Sequence, residues 1–156
     1  MGRTDSASRL VDASADRIFA ALVDRVSLAE WLPPEGMTGR FERFDARPGG
    51  SYRLVLSYDG GSPGTGKTTP DADVVDVRFV EVVPPVRLVQ AVDFLSDDLA
   101  FTGTMTMTWE LVPVEGGTRV VVTADDVPIG ISAEDHAAGM QSSLAKLAAF
   151  VEPRRA

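Results

Sequence analysis

Between Ser132 and Val151 the chain reads SAEDHAAGMQSSLAKLAAFV, and this stretch limits what the rest can fold into. Its large apolar residues, Met140, Leu144, Leu147 and Val151, recur at the three-and-four spacing that lines one side of an α-helix. Ser132 is placed to cap the start, Glu134 and Asp135 fall in the first turn where the helix dipole favours negative charge, and Pro153 stops continuation. A helix apolar on one side only must lie on something. Covering its four large side chains is worth about 6 to 12 kcal/mol as an upper estimate, comparable to the whole net stability of a domain. Between them stand small residues: Ala133, Ala137, Ala138, Gly139, Ala145, Ala148 and Ala149. Small side chains either bring a helix close to its support or leave a void beneath it, and which of the two holds is the functional question.

The support is written in a period of two. FTGTMTMTWEL alternates Phe101, Gly103, Met105, Met107, Trp109 and Leu111 with Thr102, Thr104, Thr106, Thr108 and Glu110, one apolar side and one wet. SYRLVLSY places Tyr52, Leu54, Leu56 and Tyr58 on one side, DVVDVRFVEV places Val75, Val77 and Phe79 together, and VRLVQAVDF alternates Val86, Leu88, Gln90, Val92 and Phe94 with Arg87 and Asp93. Phe41 and Phe44, three apart in GMTGRFERFDA, imply a bulge. TRVVVTAD supplies a last strand after Gly116-Gly117, Pro84-Pro85 marks a turn, and SRLVDA at 8–13 reads as an edge strand. Two short helices follow that first strand: ADRIFAALVD behind a capping Ser14, with Ile18, Phe19 and Leu22 on one face, and SLAEWLPP, begun at a capping Ser27 and stopped by Pro33 and Pro34. The sum is an α+β fold, a curved antiparallel sheet of about seven strands wrapped around a long C-terminal helix. We expect one domain over residues 1–156 with its core at about 8–152, and find no internal repeat.

Composition excludes several functions. A formal charge of −8 without a basic cluster argues against a nucleic-acid partner. No apolar run approaches the roughly 20 residues of a membrane span, and MGRTDSASRL lacks the apolar stretch of an export signal. With no cysteine there is no disulfide or thiolate chemistry, which suits a cytoplasmic protein. One histidine and no close ligand spacing announce no metal site and no cofactor.

Four segments carry a resemblance: SADRIFAAL, WLPPEGMTGRFERFDARPGGSYRL, FVEVVPPVRL and HAAGMQSSLAKLAAFV. In this order, from about Arg9 to Glu152, the chain resembles the SRPBCC (START-like, helix-grip) superfamily, and within it the branch related to activators of the heat-shock chaperone ATPase. The most specific pieces are Trp31-Leu32-x-Pro34-x-Gly36-Met37, Gly49-Gly50-x-Tyr52-Arg53 and Glu81-x-x-Pro84-Pro85-x-Arg87-Leu88. The resemblance implies a helix-grip fold with a deep, mostly apolar pocket between sheet and helix, of the kind used for lipids, polyketides and other hydrophobic molecules. The branch often carries Gly-Trp in the final helix; here the pair is Gly139-Met140, which changes the size of any cavity below it.

The residues expected to line that pocket are Trp31, Tyr52, Leu54, Leu56, Phe79, Gln90, Phe94, Met105, Met107, Trp109, His136, Met140 and Leu144. The methionines suit an adaptable wall that repacks around varied guests, and Gln90 and Tyr52, polar groups on apolar faces, are candidates for fixing a guest's orientation. His136, one turn into the helix, is placed to hydrogen-bond a ligand or to act as a base, without an evident acidic partner, since Asp135 lies on another helix face. The carboxylates look scattered, and no Ser-His-Asp or Cys-His set is present. Gly61 to Thr68 fits G-x-x-x-x-G-K-T, but Thr69-Pro70-Asp71-Ala72-Asp73 leads into a strand pattern where a phosphate loop needs a helix, so a hairpin loop is the reading. The expected partner is a small hydrophobic molecule. The alternatives are a cyclase-like enzyme and a module that stimulates a chaperone ATPase, with monomer or homodimer both open.

Overall fold

The computed structural model describes residues 3–33, 36–58, 72–96, 99–101 and 103–153, so the segment Gly61 to Thr68 lies outside them. The elements are β1 (Arg3–Val11), α1 (Ala15–Val23), α2 (Arg25–Trp31), β2 (Met37–Phe44), β3 (Ser51–Tyr58), β4 (Ala72–Val83), β5 (Arg87–Leu95), a 3-10 turn (Leu99–Phe101), β6 (Thr104–Val114), β7 (Gly117–Val127) and α3 (Ala133–Val151). All seven strands join one antiparallel sheet in the order β1-β7-β6-β5-β4-β3-β2. Each hairpin step adds a neighbour, except that the last strand returns beside the first. That return places β7, and therefore the start of α3, next to β1.

The covered face holds Tyr52, Leu54, Val75, Val77, Phe79, Leu88, Val92, Met105, Trp109, Leu111, Val120 and Val122, all buried. Met140, Leu144, Leu147 and Val151 of α3 are also buried, as their spacing requires. Ser132 Oγ accepts from Asp135 N at 3.0 Å, and the helix ends at Val151. Lys146 Nζ donates to the Pro33 carbonyl and Glu152 accepts from Asp12 N at 2.9 Å, so the second half of α3 is tied to the end of α2 and the end of β1.

The short helices dock through Ile18, Phe19, Leu22, Leu28 and Trp31. Trp31 is 1% exposed; its Nε1 donates to the Ala21 carbonyl at 2.9 Å, and its ring meets that of Trp109 edge to face at 6.0 Å. Burial of a Trp with its N–H satisfied is favourable on both counts. Phe41, Phe44, Tyr52 and Phe79 form a second aromatic cluster with centroids 5.1 to 6.2 Å apart. The register shift between Phe41 and Arg43 is the bulge expected there, and it lets both phenylalanines join this cluster.

Four details differ from the sequence reading. α2 is capped by Asp24, whose carboxylate accepts from Ser27 N at 3.0 Å and Ser27 Oγ at 2.7 Å, so Ser27 is the capped residue and the cap lies three residues earlier. Phe101 and Gly103 precede β6, with Phe101 in the 3-10 turn and Gly103 at φ +97°. Val86 precedes β5 and is 45% exposed. Val89 and Ala91, on the outer face of β5, are buried because this strand is central and long side chains such as Arg78 pair across from them.

On that outer face Arg53 grips Asp76 with two hydrogen bonds of 2.8 Å, and Arg43 adds a third at 3.3 Å. Chiefly the Arg53 hydrogen bonds hold the Asp76 carboxyl below the ordinary carboxylate range, against the opposing effect of burial. A depressed folded-state pKa contributes stability that is full above the unfolded value of about 3.9 and is lost as pH falls through the folded value. Asp76→Asn should therefore have a lower urea midpoint than the native protein at pH 6, by a margin that narrows below about pH 4; a margin independent of pH would contradict this.

Candidate functional site

The burial of α3 is uneven along its length. Met140, Leu144, Leu147, Ala148 and Val151 are its buried residues, whereas Ala133, Ala137, Ala138 and Gly139 in the first half are exposed. Under that first half lies a cavity of about 360 Å³. Its floor comes from five strands: Leu56, Asp73, Phe94, Met107, Trp109 and Val122. Its roof is Asp135, His136, Gly139, Met140 and Ser143 of α3, and Leu32 and Ile131 close the ends. A Cβ built on Gly139 meets nothing within 4 Å, so the roof has room there. The volume falls in the lower part of the range of roughly 300 to 1,000 Å³ typical of small-molecule pockets, and the wall is mostly apolar. A hollow of about 400 Å³ beside α1, lined by Asp12, Ser14, Arg17 and Pro153 among others, opens more widely to solvent.

Of the thirteen residues expected at a pocket, Leu56, Phe94, Met107, Trp109, His136 and Met140 line this cavity. The other seven stand in the core around it. Leu54, Met105 and Leu144 are packed; Trp31 lies behind Trp109; Tyr52 and Phe79 belong to the aromatic cluster. Gln90 and Tyr52 are 7% and 4% exposed and hydrogen-bonded to one another, so neither is short of a partner and neither reaches the cavity. Burial pushes the Tyr52 phenol well above its usual range, with the Gln90 hydrogen bond pulling the other way.

The polar part of the wall was the less legible part. Asp73 continues the inward series Val75, Val77, Phe79 by one more step of two and is 4% exposed. That periodicity was available in DVVDVRFVEV, which begins at Asp73, but a carboxylate at the head of the run was not counted with the apolar series. Asp135, Gly139 and Ser143 recur every four residues and form one stripe of the roof. His136 does have an acidic partner, from the far end of the chain: its Nδ1 lies 2.8 Å from Asp5 Oδ2. Arg3 holds the same carboxylate through Nε at 3.1 Å and Nη2 at 2.9 Å. No local pattern announces a contact spanning 131 positions.

The first strand is longer than its alternating segment, and the added residues matter. Between Arg3 and Asp5 the β1–β7 register shifts by one, with Asp126 at φ +59° as the extra residue on β7. Bulges of this kind re-aim side chains, and here Asp5 is turned to meet α3. Burial works to raise the Asp5 carboxyl, but the hydrogen bonds from Arg3 and His136 outweigh it and hold the group below the ordinary range. Among the described residues no group of His, Cys, Asp and Glu side chains is arranged to hold a metal ion.

The sheet order, the two helices behind β1 and the cavity under α3 agree with a family match: residues 12–152 fit the model of the Activator of Hsp90 ATPase homolog 1-like protein family. The chain belongs to this family. Among solved structures it is similar to protein CV1439 from Chromobacterium violaceum, with 31% identity, 97% of this chain and 98% of that one covered, and a TM-score of 0.85. An AHSA1-like protein from Aeromonas hydrophila shares the fold at 19% identity, with 96% and 92% covered and a TM-score of 0.73. A protein from Rhodobacter sphaeroides does so at 23% identity, with 96% and 93% covered and a TM-score of 0.74. No curated protein matches. Within the family frame, no helix among the described residues is long and apolar enough to cross a membrane.

Because the chain has a single histidine, its imidazole ¹⁵N spectrum reports on this site alone. A carboxylate only accepts, so the neutral ring should carry its proton on Nδ1. At about pH 8 the resonances should show the Nδ1–H tautomer, reverting toward Nε2–H in Asp5→Ala; an Nε2–H tautomer in the native protein would contradict the Asp5 contact.

Proposed function

We propose that this protein binds a small, largely apolar molecule, lipid- or polyketide-like, in the cavity between the first half of α3 and the sheet. What carries the reading is the cavity itself. A helix whose second half is packed and whose first half stands over about 360 Å³ of space lined by Met107, Trp109, Phe94 and Met140 leaves apolar surface that a guest would cover. Thioethers at Met107 and Met140 adapt to guests of different outline. Leu32 and Ile131 stand where a guest would enter or be enclosed.

The role assigned to the roof can be separated from a merely structural one. Gly139 is exposed and its added Cβ would meet nothing, so Gly139→Phe can send a ring into the space without disturbing the packed half of the helix. Met140→Trp fills it from the next position.

With 2-naphthol as probe at about 100 times its dissociation constant, mass action should raise the native melting temperature by roughly 5 to 10 °C. Both variants should lose most of that rise while keeping cooperative unfolding. An unchanged response in both would place the binding elsewhere, and no response in the native protein would remove the reading.

A further inference from the structure

The cavity's ionisable groups are few, and Ser143 adds one hydroxyl that can donate or accept. Among the described residues no Lys or Arg lines it; the ionisable side chains on its wall are Asp73, Asp135 and His136. Arg3, the nearest cation tied to this cluster, is engaged with Asp5 and with the Ile131 carbonyl. Ser132 and the acidic first turn of α3 already occupy the helix start, where an anion would otherwise find exposed amides.

The histidine completes this inventory. Asp5 can only accept, so the hydrogen bond at 2.8 Å places the neutral ring's proton on Nδ1 and leaves Nε2 as an acceptor. The side chains of His136 and Asp5 are 13% and 10% exposed, and a hydrogen bond shielded from water holds its geometry more firmly. The bulge at Asp126 and the Arg3 contacts fix Asp5 in turn.

We infer that His136, with its tautomer set by Asp5, selects the head group of the cavity's guest: a hydrogen-bond donor, hydroxyl or ammonium, on an apolar body, and not a carboxylate or phosphate. This rests on the cavity being a binding site. His136 is then a ligand-binding residue and Asp5 a positioning residue. An anionic head would face the Asp135 carboxylate and the lone pair of Nε2, and no Lys or Arg among the described residues lines the cavity. A donor head meets acceptors on each of those sides.

Three probes on one ring system test it: 2-naphthol, 2-naphthylmethylamine and 2-naphthoate, titrated calorimetrically at about pH 8, where imidazole is ordinarily neutral. The naphthol or the amine, or both, should bind at least about tenfold more tightly than the naphthoate, the size of one charge-assisted hydrogen bond gained or lost. Which of the two is tighter distinguishes a hydroxyl guest from an ammonium one. Asp5→Ala makes the sharper test. Arg3 Nη2 and His136 Nδ1 share Asp5 Oδ2, so an amide oxygen could still serve both, whereas removing the carboxylate leaves nothing to hold the proton on Nδ1; the ring reverts toward Nε2–H and Nε2 becomes a donor. Naphthoate should bind more tightly to this variant than to the native protein, and the donor preference should shrink severalfold or reverse. His136→Phe should keep an apolar wall and lose the preference.

Equal or tighter binding of naphthoate to the native protein overturns the inference while leaving the cavity reading standing. So does a donor preference that survives unchanged in both Asp5→Ala and His136→Phe. Failure of all three probes to bind overturns both.

Discussion

The fold hangs on how α3 meets the sheet. A helix with one apolar stripe can satisfy that stripe along its whole length only if its support is flat, and a seven-stranded antiparallel sheet is not; it twists and curves. α3 resolves the mismatch by committing its second half, where Leu144, Leu147 and Val151 are buried and Lys146 and Glu152 tie it to neighbouring elements, with Met140 buried at the boundary. Its first half is built of alanines and a glycine that ask for no burial. Stability and open space are thereby assigned to different ends of one helix. Neither has to be traded for the other.

From this division the position of the polar groups follows. The start of α3 is fixed by the β7–α3 turn, where Gly130 N donates to the Ala100 carbonyl at 2.7 Å and the 3-10 turn packs so closely that a Cβ on Gly130 would lie 2.8 Å from the Phe101 ring. Because β7 lies beside β1, the same end of the helix comes down next to Arg3 and Asp5. The Arg3–Asp5–His136 cluster is a consequence of sheet order. A chain in which the last strand joined the sheet at its other edge would leave His136 without that partner.

Much of this was legible beforehand. The stripe of α3, its cap at Ser132, the alternation of β6, the bulge at Phe41 and the two short helices were all readable, because each depends on neighbours within a few positions. The family resemblance added the pocket. What escaped was of two kinds. Element starts were displaced where a capping side chain outside the obvious pattern prevailed, as Asp24 does over Ser27. Contacts between distant positions were invisible: Tyr52 with Gln90, and Asp5 with His136, join residues that no periodicity relates. Asp73 was missed for a third reason, since a carboxylate opening an apolar series reads as an extension of the loop before it.

The account rests on the space beneath the first half of α3 receiving a guest. Two methionine methyls, Met107 on the floor and Met140 on the roof, lie on opposite sides of that space. With methyl-labelled methionine and saturating 2-naphthol, nuclear Overhauser contacts from the probe's ring protons to both methyls are predicted. Contacts to neither, with probe signals instead near the exposed outer residues Val80 and Val112, would contradict it.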